Sequence, residues 1–228
     1  MNVVHTDSLS RRFGQRWAYA HIDIQLNAGE KLLLFGANGS GKSTLLRTVS
    51  TLLPPTQGTI RLFGSQTAGD TFQSRRRIGF LSHHVGLYED LSAIDNLMVF
   101  ARLFGQPIQR KRAQDLLEQV GLEYRSEPIS QYSAGMRKRA SLALVLLKNP
   151  ELILLDEPFS ALDPEGVEAL ARFVRESTAS IILTSHQIER AAALCDRAVM
   201  LENGLIRWRG NATDAWKAWQ QSQQGLNQ

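Results

Sequence analysis

The sequence has a single cysteine, few aromatic residues and no long apolar run. Cys195 is the only cysteine among 228 residues, which excludes an internal disulfide and is compatible with a reducing compartment. No stretch approaches the roughly 20 apolar residues that a membrane helix needs. The first residues, MNVVHTDSLSRRFG, lack the apolar segment of a signal peptide. Work at a membrane would therefore require docking to another chain that spans it.

Acidic residues are in slight deficit. The chain has 26 Lys and Arg against 22 Asp and Glu, a net charge of +4 and a pI of about 9.5. That balance suits nucleic acid, nucleotides or an anionic membrane surface. Three basic triplets, at 75–77, 110–112 and 137–139, are short enough to be ordinary solvated faces. With 43% hydrophobic and 21% charged residues, the composition is typical of a soluble globular protein and excludes a disordered or fibrous class.

Short apolar runs alternate with helical patterns along most of the chain. Runs at 31–35, 152–155 and 181–184 are each followed by a turn and then a helical pattern. Continuous apolar strands of this kind predict a parallel sheet that is covered on both faces, and hence an α/β domain. Runs at 59–63 and 198–201 predict further strands, the second followed by a hairpin turn at Asn203-Gly204.

The middle of the chain has a different, helical pattern. Ser92 and Asp95 predict a capped helix start, Gly105 and Pro107 predict a break, and Gly121 predicts the end of a second helix. We therefore expect one domain with two parts. An α/β body is expected at 1–83 and 149–215, with a helical subdomain inserted at about 84–148. A polar, frayed tail is expected from about 216 to 228.

A glycine-rich stretch, GANGSGKST at 36–44, fully matches the G-x-x-x-x-G-K-[ST] pattern between an apolar run and a helical one. Glycines let successive N–H groups point at phosphate oxygens, and the following helix directs its positive end at the same group. Lys42 is predicted to reach the β- and γ-phosphates and the Ser43 hydroxyl to bind Mg²⁺. The predicted nucleotide contacts are Gly36, Asn38, Gly39, Ser40, Gly41, Lys42, Ser43 and Thr44.

Polar residues end two other predicted strands. Asp156 and Glu157 follow the run LILL, at the edge of an α/β sheet where ligands bind. Asp156 is suited to hold Mg²⁺ through its water shell, and Glu157 to polarise an attacking water. His186 ends the run SIILTSH. It is either a structural histidine or a donor that stabilises charge on the transferred phosphoryl group.

These motifs, in this order, resemble the nucleotide-binding subunits of ABC transporters over nearly the whole chain. GANGSGKS resembles the Walker A loop and LILLDE the Walker B strand with its catalytic glutamate, Glu157. SALD, from Ser160 to Asp163, resembles the D-loop, and His186 stands where the family has its switch histidine. The resemblance implies a P-loop NTPase fold with a mostly parallel core sheet, antiparallel β elements and an inserted helical subdomain.

Two further positions are identified through the same resemblance. The stretch YSAGMRKR at 132–139 is similar to the family signature LSGGQ; Ser133 and Gly135 match it, whereas Ala134 and Met136 depart from it. Phe13 occupies the place of the aromatic residue that stacks on adenine, and Trp17 is the alternative.

The resemblance implies an ATPase that uses ATP and Mg²⁺ and pairs head to tail with a second, identical subunit. Ser133, Gly135 and the start of a helix running from Met136 would then cap the γ-phosphate held by the partner's Walker A loop. The triplet at 137–139 either adds to the positive field there or faces solvent. A separate membrane permease is the implied partner, at the cytoplasmic face of the membrane, and nucleic acid is not expected.

The stretch IGFLSHHVGLYEDLSAIDNL is similar to single-domain exporter ATPases. With the altered signature, it is similar to the haem-exporter ATPase of cytochrome c maturation. ATPases of multidrug, antibiotic or lipid exporters share most of these features. A soluble ABC-type ATPase acting on nucleic acid or ribosomes is the alternative from a different class.

Two adjacent histidines, His83 and His84, end a strand-like run. A metal site made from this pair alone is disfavoured, because neighbours on an extended chain point to opposite sides. By the family resemblance, His83 stands at the position of the Q-loop glutamine, which contacts Mg²⁺ and the attacking water. Because imidazole titrates near neutral pH, we expect ATPase activity to fall as His83 protonates. His84 is expected in a loop near the permease contact, within a coupling surface at about 83–96.

Overall fold

A computed structural model describes residues 2–66, 71–82 and 86–225. His83 and His84 lie outside the described residues, and their predicted roles stay predictions. The strands of the described part are β1 (Asn2–Phe13), β2 (Arg16–Ile22), β3 (Gln25–Asn27), β4 (Lys31–Phe35), β5 (Gln57–Leu62), β6 (Ser65–Gln66), β7 (Ile78–Leu81), β8 (Leu152–Asp156), β9 (Ser180–Thr184), β10 (Arg197–Glu202) and β11 (Leu205–Asn211). The helices are α1 (Lys42–Val49), α2 (Phe72–Arg76), α3 (Ala93–Leu103), α4 (Arg110–Gln119), α5 (Ala134–Leu146), α6 (Pro164–Glu176), α7 (Ile188–Ala192) and α8 (Ala215–Gly225).

The core sheet has the strand order β11-β10-β4-β9-β8-β7. The four pairings from β10 to β7 are parallel, and β11 joins β10 in antiparallel fashion by the predicted hairpin at Asn203-Gly204. β4 and β8 are buried throughout or nearly so, as continuous apolar runs require when both sheet faces are covered. The predicted strands at 31–35, 152–155, 181–184 and 198–201 are confirmed, with ends that differ by at most one residue.

A second, antiparallel sheet is built from the first part of the chain, in the order β2-β1-β5-β6 with β3 paired to β1. The hydrophobic residues of α1, Leu45, Leu46 and Val49, pack with the inward faces of both sheets. The predicted strand at 59–63 begins earlier, at Gln57, and ends at Leu62, because Phe63 adopts a positive φ of 53° at the turn. α1 is thereby held between two sheets, with its first turn at their common edge.

The helical middle of the chain follows its predicted boundaries closely. Ser92 caps α3 by accepting a hydrogen bond from the backbone N–H of Asp95, as the capping pattern predicted. Gly105 follows the end of α3, and Gly121 follows α4 with a left-handed φ of 69°. The buried faces of α3, α4 and α5 join one core with the underside of the parallel sheet. The limits 84–148 for a subdomain remain a prediction.

The end of the chain corrects one expectation. Instead of a frayed tail from 216, helix α8 covers Ala215–Gly225. Ala215 and Ala218 are buried, and the ring of Trp219 meets that of Phe35 edge-on at 6.5 Å between centroids. The sequence prediction followed the glutamine-rich composition and overlooked that Ala215, Ala218 and Trp219 recur at helical spacing on one face. Within 2–66, 71–82 and 86–225, no helix is both long and apolar enough to cross a membrane.

Candidate nucleotide-binding and catalytic site

The loop between β4 and α1 is closed by direct backbone packing. Gly36 has φ 143° and Gly41 φ 104°, conformations that residues with a side chain rarely adopt. A Cβ on Gly36 would lie 2.0 Å from the carbonyl oxygen of Leu201, and one on Gly41 would lie 2.4 Å from that of Ala18. The two glycines therefore set the shape of the loop, and no larger residue fits without moving backbone.

Helix α1 begins at Lys42 with free backbone donors. Gly41 supplies no side-chain cap, and the first turn carries no acidic residue. The amide groups at this end and the helix dipole together favour an anion. The Lys42 ammonium donates to the carbonyl oxygens of Gly36 and Ala37, each at 2.9 Å. Burial lowers the pKa of Lys42, while the nearby carboxylates of Glu157 and Asp156 act in the opposite direction.

The buried Asp156 carboxylate at the end of β8 faces the phosphate loop. Its Oδ1 accepts hydrogen bonds from the Ser43 hydroxyl at 2.9 Å and from the Thr184 hydroxyl at 2.8 Å. Thr184 is the register partner of Asp156 on β9. The sequence prediction missed Thr184, although a polar residue ending a strand next to Walker B is a usable signal.

Ser43 and Asp156 provide a hydroxyl and a carboxylate oxygen, the hard ligands that Mg²⁺ prefers. In the described ranges, no three His, Cys, Asp or Glu side chains group into a metal site. Mg²⁺ is usually bound through one or two protein groups plus substrate phosphates, and Ser43 and Asp156 would be those groups here.

Glu157 and His186 meet at the same edge. The Glu157 Oε2 lies 2.8 Å from the His186 ring Nδ1 and 3.3 Å from the His186 backbone nitrogen. Because an ionised carboxylate only accepts, Nδ1 carries the proton in this pairing. The Glu157 backbone has φ 48°, a strained region for a residue with a side chain. Its N–H donates to the Thr184 hydroxyl at 2.9 Å.

A cleft of about 360 Å³ opens beside the phosphate loop. Both aromatic candidates for the adenine, Phe13 and Trp17, line it and are 49% and 41% exposed. The Arg11 guanidinium lies 4.8 Å from the Phe13 ring centroid, and Arg12 lies 5.5 Å from that of Trp17. The remaining lining residues are Arg16, Ala18, Asn38, Gly39, Gly41, Lys42, Ser43, Thr44 and Glu157.

The predicted signature residues do not line this cleft. Ser133 caps α5, which begins at Ala134 and not at Met136, by accepting from the Met136 N–H at 3.2 Å. Gly135 packs on the D-loop, where an added Cβ would lie 2.9 Å from the Ala161 carbonyl oxygen. At the other end of the D-loop, Asp163 caps α6 by accepting from the Gly166 N–H at 2.8 Å.

The family model described as ABC transporter matches residues 19–160. The linearmycin resistance ATP-binding protein of Bacillus subtilis (strain 168) is 31% identical over 218 residues, 93% of this chain and 70% of that protein. The daunorubicin resistance ATP-binding protein of Streptomyces coeruleorubidus is 35% identical over 218 residues, 93% of this chain and 69% of that protein. The bacitracin transport ATP-binding protein of Bacillus licheniformis is 32% identical over 210 residues, 90% and 68% of the two chains.

Solved structures agree with the fold. An ATP-binding cassette solved as a dimer in a post-hydrolysis state with ADP and Pi superposes with a TM-score of 0.84 at 25% identity, covering 92% of this chain and 98% of the other. An ATP-binding subunit of an ABC transporter gives 0.84 at 28% identity, covering 96% and 93%. The chain therefore belongs to the ABC transporter family, as one of its ATP-hydrolysing subunits.

Proposed function

We propose that two copies of this chain close on two ATP molecules and that their closing and reopening drive a separate membrane permease that exports a small molecule. One observation carries the proposal. The phosphate loop after β4, the carboxylates after β8 and His186 after β9 meet at one edge of the parallel sheet. This edge is where α/β sheets bind ligands, and each of the three strands contributes a group with a separate task.

For binding, the triphosphate would occupy the free amide groups at the start of α1, with the adenine on Phe13 or Trp17. Lys42 would exchange its two carbonyl partners for phosphate oxygens, and its low-solvent setting strengthens that contact. Mg²⁺, held by Ser43 and Asp156, neutralises phosphate charge when bound. A loop that already keeps its lysine and glycines in place needs little reorganisation before it binds.

For hydrolysis, the Glu157 carboxylate would take a proton from the attacking water. The water oxygen forms a bond to the γ-phosphorus, the bond to the bridging oxygen breaks, and ADP leaves. His186 holds Glu157 in the free chain through its Nδ1 proton. To donate to the γ-phosphate, the ring must either carry a second proton on Nε2 or turn away from Glu157.

The second subunit completes each site. Exposed Ser133 and buried Gly135 lie at the start of α5, outside this chain's own cleft. A helix N-terminus suits the γ-phosphate of a nucleotide that another subunit holds. The solved dimer with ADP and Pi described above supports a paired arrangement. Closing then assembles the site and hydrolysis reopens it, which couples chemistry to movement.

An apolar groove between the core sheet and α3 and α5 is the candidate permease contact. It has a volume of about 440 Å³ and is lined in large part by aromatic and aliphatic residues. Leu52, Phe104 and the neighbouring Tyr88 and Leu103 are 39–65% exposed. Exposed apolar surface of this kind marks a protein interface. Gly86, within the coupling surface predicted at about 83–96, lines the groove.

The cargo follows from the relatives. Linearmycin and daunorubicin resistance and bacitracin transport appear in the names of proteins that match about nine-tenths of this chain. We propose export of an antibiotic-like small molecule. Haem export for cytochrome c assembly is the narrower hypothesis; it rests on His83 and on the signature departures, and the relatives above give it no support.

The hydrolytic part is tested with Glu157→Gln. The variant should bind ATP as tightly as wild type, hydrolyse none and accumulate as an ATP-bound dimer on size-exclusion chromatography. Wild-type turnover in this variant would remove Glu157 as the base. Glu176→Gln, at the exposed last residue of α6, is a matched control that should leave turnover unchanged.

The transport part is tested by affinity purification of the tagged chain from detergent-solubilised membranes of its own host. A polytopic membrane protein should co-purify and stimulate ATPase activity. Stimulation by DNA or ribosomes that weakens with added salt would instead support the soluble class. Host cells lacking the chain should become sensitive to an antibiotic; loss of c-type cytochromes without such sensitivity would favour haem.

A further inference from the structure

The basic triplet at the start of α5 divides into three environments. Arg137 is exposed, Lys138 is half-buried and Arg139 is buried. The Arg139 guanidinium donates to the Gly121 carbonyl oxygen at 2.6 Å, within the helical region. Lys138 reaches the other way, into the α/β body. Neither sequence alternative for the triplet, a shared positive field or a shared solvent face, describes all three residues.

The Lys138 ammonium binds the backbone of the proposed catalytic base. Its Nζ donates to the Glu157 carbonyl oxygen and, at 2.7 Å, to the Ser160 hydroxyl. The Ser160 hydroxyl donates to the same Glu157 carbonyl at 2.9 Å. Lys138 therefore contacts both Glu157 and Ser160, the two ends of the segment that joins the proposed base to the D-loop.

The contact between Lys138 and the Glu157 carbonyl oxygen lies where the backbone is strained. Glu157 has φ 48°, and such a conformation persists only where surrounding contacts fix it. Its N–H is held by Thr184 of β9, from within the α/β body. Its carbonyl is held by Lys138, from the helix that starts at the signature residues. Lys138 is thus the helix's direct link to the peptide that orients the carboxylate.

We propose that Lys138 is a positioning residue: it fixes the backbone of Glu157 and ties it to the start of α5. The inference rests on the proposed function, in which the start of α5 contacts the ATP held by the partner. Gly135 packs on Ala161 and Lys138 on Glu157 and Ser160, so movement of α5 is transmitted to the D-loop and to the base of the same chain. Contact with one nucleotide would then align the base for the other.

The setting of Lys138 argues against a purely stabilising role. Burial lowers its pKa to about 8, despite the opposing effect of the Glu157 and Asp156 carboxylates. Its direct partners are a carbonyl and a hydroxyl, not a carboxylate, so the charge is only partly compensated. Glu89 and Arg137 line the same cavity of about 410 Å³. A chain that needed only stability at this place would do better with an apolar side chain.

The test compares Lys138→Met with Arg137→Met, which removes an equal charge from the exposed neighbour on the same helix. In Lys138→Met we expect kcat for ATP to fall at least tenfold, with KM unchanged and the thermal midpoint unchanged or raised, because the change removes a positioning contact and a buried charge. Arg137→Met should stay within about twofold of wild type. Glu157→Gln, measured alongside, marks complete loss of turnover.

Rescue is tested in Lys138→Cys by aminoethylation with 2-bromoethylamine, which rebuilds a side chain of lysine length with a terminal ammonium. Burial raises the pKa of the native Cys195 thiol to about 12, so the new thiol reacts selectively. Mass spectrometry confirms one modification, and kcat should return to within about threefold of wild type.

Three results would overturn the inference: wild-type kcat in Lys138→Met, a fall in kcat matched by a fall in the thermal midpoint, or full modification without rescue. If Lys138→Met is active while Glu157→Gln is not, only the role of Lys138 fails. If Glu157→Gln also turns over ATP, the proposed function itself fails.

Discussion

Two helix N-termini, those of α1 and α5, are assigned to phosphate in the proposed function, and they are built in opposite ways. α1 starts at Gly41-Lys42 without a side-chain cap, enclosed by the backbone of neighbouring strands. α5 starts at Ala134 with Ser133 as its cap, and both residues are exposed. One end leaves its amide groups free inside a formed pocket. The other satisfies part of its own hydrogen bonding at the surface.

The difference indicates separate tasks. Free amide groups with a buried lysine give α1 a site that one chain can use alone. The start of α5 is capped by its own Ser133 and lies outside the chain's own cleft, so under the proposed function it would bind phosphate only when another subunit arrives. The predictions that follow test this division, because changes at α1 should affect nucleotide binding and changes at α5 should affect turnover.

The largest effect is expected from Lys42→Ala. Its ammonium is the one charged group that the loop at 36–44 offers to the β- and γ-phosphates, in a buried setting where electrostatic contacts are strong. We expect ATP affinity of the isolated chain to fall by about a hundredfold or more, measured by isothermal titration calorimetry. Wild-type affinity would contradict the assignment of the loop.

Gly135→Ala should separate turnover from binding. The new Cβ would lie 2.9 Å from the Ala161 carbonyl, so the D-loop must shift, while the phosphate loop is untouched. We expect kcat to fall by about tenfold or more, with ATP affinity of the monomer unchanged. The matched change Gly41→Ala, at φ 104°, should instead weaken binding. Equal loss of ATP affinity in both variants would contradict the assignment of binding to α1 and of turnover to α5.

Ser133→Ala should also lower turnover without changing ATP binding, but by less than Gly135→Ala. Loss of the cap to Met136 costs about 1 kcal/mol of stability, and the exposed hydroxyl can no longer donate to phosphate. We expect kcat to fall by roughly fivefold with unchanged monomer affinity, since one neutral donor is lost. A Ser133→Asn variant should keep the cap and the stability, because asparagine is also a good N-cap residue. A changed ATP affinity of the monomer in either variant would contradict the assignment of α5 to turnover.

The smallest effect is expected from pH. Lys138 has a pKa of about 8, so its ammonium is lost as pH rises through that value and the positioning contact weakens. At saturating ATP, wild-type kcat should decline by about twofold or more between pH 7.5 and 9, and the residual turnover of Lys138→Met should not show this decline. Saturation matters because burial also lowers the pKa of Lys42, whose deprotonation acts on binding. An identical profile in both proteins would exclude Lys138 as the titrating group.

Much of the nucleotide-binding half was predictable from local sequence. The pattern from Gly36 to Thr44 fixes a loop and helix start by chain geometry alone, and LILL with Asp156 places a carboxylate at the correct sheet edge. Parallel strands end at one edge, so their polar residues meet without further information. Ser92 and Gly121 likewise gave helix ends, because capping is a local interaction.

What escaped prediction depends on contacts between distant segments. Lys138 reads as one cation in a surface triplet, and only the packing of α5 on the D-loop directs it to Glu157. Thr184 acquires its role through register with Asp156. The sequence predicted a polar tail in place of α8 because the ring of Trp219 packs on Phe35, which is distant in sequence and invisible to local patterns. Long-range packing decided each of these.

The most direct measurement mixes Lys42→Ala with Ser133→Asp and follows ATP hydrolysis at an ATP concentration too low for Lys42→Ala to bind. The carboxylate of Ser133→Asp keeps the cap of α5 and repels phosphate, and the D-loop beside Glu157 is untouched. If each site combines the phosphate loop of one chain with the α5 start of the other, the mixed dimer contains one site with both parts intact. Random mixing then restores up to about a quarter of wild-type turnover, since half of the dimers are mixed and each has one of two sites. A mixture as inactive as either variant alone would contradict the assignment of the two helix ends to different nucleotides.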